Sequence, residues 1–183
     1  VNPDWLNRFS GAERRFVLGR WLELARLRAG LVLNNPIQEV LRRVLLFAWL
    51  LVPEIKVPGV PEDEIEKRAK PVKRAVPRKI RAQMEERAKA LAREGLPRDL
   101  NLWQRGLILS ANRAGMLVCG DLKSALSACF KLDPKFRNIN LAELADPKPV
   151  IEQSEEAKDL LRFWLSEQFF TLRKRAGYSL LSA

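Results

Sequence analysis

Apolar residues return every three to four positions through most of the chain, in blocks separated by proline, glycine or asparagine. The first block lies within Arg14 to Gly30. Phe16, Val17, Trp21, Leu24 and Leu27 mark one stripe there, and Leu18, Leu22 and Ala25 widen it. This spacing predicts an amphipathic helix. Ser10 and Glu13 form an S-x-x-E capping box ahead of it, and Gly30 is its expected stop. Residues 1–9 read as a lead-in whose Trp5 and Phe9 dock on the body. Asn34-Asn35-Pro36 predicts a break and restart, with Asn35 as N-cap and Pro36 in the first turn of a second helix reaching Val52.

The second helix is apolar almost all round, through Ile37, Val40, Leu41, Val44, Leu45, Ala48 and Leu51 on one side and Phe47, Trp49 and Leu50 on the other. It should therefore be central to a core. Its densest run, residues 44–52, is far shorter than the about 20 residues needed to span a bilayer, so no membrane span is expected. Pro53, Pro58 and Pro61 mark a loop, and Pro71 and Pro77 interrupt the charged segment from Glu62 to Arg98.

Further helices are expected from Pro77 to Glu94, from Asp99 or Asn101 to Gly120, and over residues 122–130. The second of these should turn Leu102, Trp103, Leu107, Ser110, Ala111, Ala114 and Leu117 or Val118 inward. Lys131 to Pro149 reads as mostly irregular, with a helical turn near Leu141 to Leu144. A final helix capped by Ser154 should bury Ala157, Leu160, Leu161, Trp164, Leu165, Phe169 and Leu172. The pattern predicts an all-α fold, a compact domain of about six to seven helices.

Two stretches carry a resemblance. Phe16-Val17-Leu18-Gly19 resembles the run that precedes H-E-x-x-H in the HtpX-type and CAAX-prenyl-protease-type zinc metallopeptidases. In that alignment the first His position is Arg20, the Glu position is Trp21 and the second His position is Leu24. Ile108 to Leu117 resembles the family's E-x-x-A-D-R-A-G-L-L segment; the position of its Glu, the third zinc ligand, is Ile108, and that of its supporting Asp is Asn112. The resemblance implies a minimal metallopeptidase helical core over roughly residues 12–130, with a basic, Pro-containing connector and every ligand substituted. On this reading Arg20, Trp21, Leu24, Ile108 and Asn112 are vestigial zinc-site positions. Leu24 and Ile108 should lie close across crossing helices, with Trp21 filling the space near them. The chain divides accordingly into N-terminal helices with the degenerate zinc helix (1–55), a charged connector and helix (56–98) and C-terminal helices (99–183), all within a single domain over residues 1–183.

Composition narrows the chemistry. There is no histidine among the 183 residues, which removes His-based general base catalysis and His metal ligation together. Cys119 and Cys129 make no C-x-x-C pair and suit buried thiols in a reducing, cytoplasmic setting. No P-loop or G-x-G-x-x-G motif occurs. No catalytic residue, metal ligand or cofactor is therefore assigned, and the chain is expected not to be an enzyme.

Net charge is +11, which favours acidic partners. Lys67, Arg68, Lys70, Lys73, Arg74, Arg78, Lys79 and Arg81 form a basic block with no acidic residue inside it. The leading expectation is a catalytically inactive metallopeptidase-like domain that serves as a protein-binding or structural module, alongside other subunits or domains. The alternative is a basic helical adaptor that binds nucleic acid or another polyanion through residues 67–81.

Overall fold

The computed structural model describes residues 6–95 and 100–178, and the fold is all-α, with no strand among the described residues. Trp5 and Asp99 lie outside them. In chain order the helices are α1 (Gly11–Arg26), α2 (Gly30–Leu33), α3 (Ile37–Trp49), α4 (Glu62–Ala75), α5 (Arg78–Glu94), α6 (Leu100–Cys119), α7 (Leu122–Leu132), α8 (Lys148–Gln153), α9 (Glu155–Trp164) and α10 (Glu167–Arg175), with a 3-10 turn at Leu141–Glu143. Contacts sort the chain into two units. Gly30–Gln104 fold on themselves, and the stretches on either side of that segment form the other unit. The contacts divide the chain at Gly30 and Gln104, whereas the expected segments meet near residues 55 and 98.

The flanking unit is built on α1, α6, α7, α9 and α10. The capping box forms as its sequence requires: the Glu13 amide donates to Ser10 Oγ, and the Ser10 amide donates to Glu13 Oε2 at 2.6 Å. Phe16, Val17, Met116, Phe130, Leu160 and Phe169 are the large side chains of its core, joined by Phe9 from the lead-in. α1 and α9 both pack on α7. The stripe on α1 is narrower than its apolar content suggests, because Leu18 and Leu22 face solvent.

Helix ends account for most departures from expectation. α1 stops at Arg26, not Gly30. Arg28 takes the left-handed conformation, with φ 51°, its amide donates to Ala25 O, and the Ala29 amide donates to Leu24 O. This is the Schellman closure, normally made by glycine; Gly30 instead opens α2. Pro36, not Asn35, is the N-cap residue of α3. The expected last helix is two helices. Ser166 Oγ accepts from the Phe169 amide, a new N-cap one residue after the C-cap of α9, and Leu165 at the break is 78% exposed rather than inward. Lys148–Gln153 is helical, with Pro149 in the first turn, where its missing N–H costs nothing. Leu102 and Trp103, expected inward, are exposed.

The Gly30–Gln104 unit centres on α3. Leu45, Leu46 and Ala48 pack with Ile55, Val57 and Val60 of the proline-marked loop and with Ile65 and Ala88 of α4 and α5. Pro71 does not interrupt the charged segment; α4 continues through it. Pro71 and Lys67 are both exposed, so the Lys67 carbonyl that loses a helical donor can turn to water. The break falls at Val76-Pro77, where Val76 is extended as the residue before proline prefers. Among the described residues no helix is long and apolar enough to cross a membrane.

Glu13 is the most consequential buried charge. It is 5% exposed, and Lys131 Nζ reaches both its oxygens at 2.8 Å while Ser127 Oγ donates to Oε1 at 2.5 Å. Burial pushes its pKa up, but these donors and the Ser10 amide outweigh burial and hold it below its ordinary 4.5. A depressed carboxylate contributes stability that is present above its unfolded value and is lost as pH falls through the folded one. The unfolding free energy should therefore drop as pH falls below about 4.5. Glu13→Gln should cost about 1.5–3 kcal/mol near neutrality and flatten that acid slope. Urea titrations between pH 3 and 7 measure both.

Candidate functional site

α1 and α6 cross at glycines. A Cβ on Gly115 would sit 2.6 Å from the Phe16 carbonyl oxygen and 3.0 Å from its ring. A Cβ on Gly19 would sit 2.9 Å from Val118 Cγ2 and 3.1 Å from the Ala114 carbonyl oxygen. Only residues without a side chain allow the two backbones to approach this closely. Both glycines belong to the stretches that carry the metallopeptidase resemblance.

The crossing determines what meets beside it. Arg20 follows Gly19, and on α6 Asn112 and Ile108 lie about one and two turns before Gly115. Arg20 Nε donates to Asn112 Oδ1 at 2.8 Å. Arg20, Ile108 and Asn112 line a common cavity of about 230 Å³ with Cys129, Leu132, Asp133, Pro134 and Glu156. Three of the five positions that the resemblance singles out thus come together. Trp21 and Leu24 are half-buried and do not line the cavity; Trp21 packs against the core of its unit. The spot is therefore not closed by aliphatic side chains as the substitution pattern suggests. A polar pair and a small cavity occupy it.

The electrostatics are those of a cation held in place. Asn112 is 2% exposed, and its amide nitrogen lies 4.0 Å from Cys129 Sγ. Burial lowers the pKa of Arg20, while Cys129 and Glu156 act to raise it; a guanidinium remains charged at neutral pH regardless. Burial pushes the Cys129 thiol up to about 12, and Cys119 is raised by burial as well, so both stay protonated and poorly nucleophilic. A divalent metal does not suit these residues. Arg20 places a positive charge on the cavity wall, Ile108 offers no donor, and Cys129 does not ionise near neutrality. No group of three or more potential metal ligands occurs among the described residues.

Sequence reasoning missed the neighbours of this cluster. Arg113, within the second resemblance stretch, makes a bidentate pair with Asp159 on α9, Nε to Oδ2 at 2.9 Å and Nη2 to Oδ1 at 2.5 Å. That pair raises the Arg113 pKa further, against burial. The Glu13–Ser127–Lys131 group was also missed; its signal, Ser127 and Lys131 four apart on one helix face, is too common to stand out. The basic block lies in the other unit. Lys67, Arg68, Lys70, Lys73 and Arg74 are on α4, and Arg78, Lys79 and Arg81 are on α5. Two of the eight are paired within α4: Arg68 with Glu64 at 2.6 Å and Lys70 with Glu66 at 3.8 Å.

No family model matches the chain, and no curated protein or solved structure is significantly similar to it.

The Arg20–Asn112 bond should be measurable as a coupling. Arg20→Met alone should cost about 1–3 kcal/mol, because Asn112 Oδ1 is left buried without its donor. The double variant Arg20→Met/Asn112→Leu should cost less than the sum of the single variants by about 1 kcal/mol or more. Chemical denaturation of the four proteins closes the cycle.

Proposed function

We propose that this chain is a catalytically inactive metallopeptidase-like module that binds other protein subunits or domains, or holds them together. The observation that supports this reading is the convergence of Arg20, Ile108 and Asn112 on one cavity beside the Gly19–Gly115 crossing. These are the places where the resembled family puts two metal ligands and the residue that supports them. Here they carry a guanidinium, an aliphatic group and a neutral amide, none of which can activate a metal-bound water. Nucleophilic routes fare no better at this site, since its one thiol is buried and protonated. A domain of this kind contributes shape and surface rather than turnover.

Restoring the ligands tests the reading. The variant Arg20→His/Trp21→Glu/Leu24→His/Ile108→Glu/Asn112→Asp should retain about one zinc per chain after dialysis, and the parent chain essentially none. Elemental analysis gives the metal content, and circular dichroism establishes that the variant is folded. A folded variant without zinc would remove the metallopeptidase-like frame. Stoichiometric zinc in the parent chain would remove the inactive reading.

A further inference from the structure

The cations of the Gly30–Gln104 unit are not spread evenly. Acidic residues collect at the start of α4, at Glu62, Asp63, Glu64 and Glu66, and in the later half of α5, at Glu85, Glu86 and Glu94. Between them, residues 67–82 contain no acid. Glu64 and Glu66 neutralise Arg68 and Lys70 one turn along α4, and Glu85 and Glu86 both pair with Lys89 on α5. Lys67 and Arg81 of the block are also left without a carboxylate among the described residues, and the other four fall at one bend: Lys73 and Arg74 at the end of α4 and Arg78 and Lys79 at the start of α5. All four are exposed, and none has a carboxylate partner among the described residues.

Lys73 and Arg74 close α4 at its C-terminus, where the helix dipole favours cations, but the cluster as a whole carries a cost. Four like charges crowd one elbow around Val76-Pro77. Two of them lie in the first turn of α5, which holds no acidic residue, and cations there oppose the helix dipole. The helices already bury their apolar sides through Ile65, Ala69 and Ala88, so the cations contribute nothing to that packing. An unfavourable charge cluster that the fold does not need is best accounted for by an external anion.

We infer that the α4–α5 elbow docks on the phosphate backbone of duplex nucleic acid, without regard to base sequence. A duplex presents about one negative charge per 1.7 Å of axis, a density that matches cations set along two short helical ends. Residues 62–94 contain no aromatic side chain, so bases are not read by stacking. A membrane surface fits less well. Helices that lie in an anionic bilayer keep a free apolar face, whereas Ile80 is the sole large apolar residue exposed along 62–94.

The test is a fluorescence anisotropy titration of the whole chain with a labelled 20-base-pair duplex of mixed sequence at 50–200 mM KCl. Four phosphate contacts predict a slope of log K against log salt of about −3.6, so affinity should fall about 150-fold over that range. The variant Lys73→Gln/Arg74→Gln/Arg78→Gln/Lys79→Gln should lose at least about 100-fold at the lowest salt and most of the slope. A charge-matched control, Lys123→Gln/Arg137→Gln/Lys174→Gln/Arg175→Gln, should bind within about threefold of the parent. Three results would each overturn the proposal. They are no duplex binding at 50 mM, equal loss in the control, and tighter retention on phosphatidylserine vesicles or polyglutamate than on duplex at equal charge.

Discussion

The contact between α1 and α6 is made by backbone, and the arrangement beside it depends on that. With no side chain at Gly115, the Phe16 carbonyl comes within 2.6 Å of where a Cβ would stand. That leaves Phe16 and Met116 wholly buried on either side of the crossing. It also brings Arg20 near enough to Asn112 for a 2.8 Å hydrogen bond. A longer side chain at the crossing would part the helices by more than that bond can stretch. The insult is to backbone, which cannot rotate away as a side chain can, so the strain falls on the whole contact rather than on one rotamer. Gly106, on the same helix with nothing near its Cβ, marks the contrast: there glycine serves no packing purpose.

From the crossing, α6 anchors its neighbours by polar ties of different kinds. Arg113 grips Asp159 on α9 and lies 5.5 Å from the Phe163 ring centre. Arg173 on α10 donates to the Leu117 carbonyl at 2.8 Å, one of the acceptors that the end of α6 leaves without a helical partner. Gly120 makes this possible, since its φ of 70° is left-handed and a Cβ there would meet the Arg173 guanidinium at 2.3 Å. On the far side α1 is tied to α7 by Glu13, Ser127 and Lys131. Such ties add little net energy individually, because each group gives up water to make them. They set register, since a shifted helix would leave a buried charge without its partner.

Local grammar carried much of the fold into the sequence. The Ser10–Glu13 box, the Val76-Pro77 break and the Asp121 and Ser154 caps involve residues within four positions of one another, so pattern alone reveals them. Where a local rule has two solutions, pattern failed. Arg28 closed α1 in a conformation glycine usually takes, and solvent around Pro71 let α4 continue where a buried proline would have ended it. Burial was less legible than helicity. Leu102, Trp103 and Leu165 satisfy a helical stripe and still face outward, because periodicity defines a face without saying what covers it. At the candidate site, the occupant was not legible, because Arg20 and Asn112 are 92 residues apart and neither spacing nor composition pairs them.

The occupant also corrects the physical picture of the site. Losing the ligands of a buried metal suggests refilling with aliphatic side chains, which avoids stranded polar groups. Ile108 follows that course, but Arg20 does the reverse and keeps a permanent positive charge half-buried there. A guanidinium cannot escape by deprotonating, as a buried lysine can, so it must find acceptors. Asn112 supplies one from a fully buried amide, Glu156 adds a negative field, and the adjoining cavity of about 230 Å³ has room for water around the rest of the group. The cavity is therefore better understood as the hydration space of an internal cation than as an unfilled defect. On the proposed reading, a side-chain cation stands where the resembled family holds a metal ion. Glu156 lies within the field of that cation, and the group offers no means of polarising water.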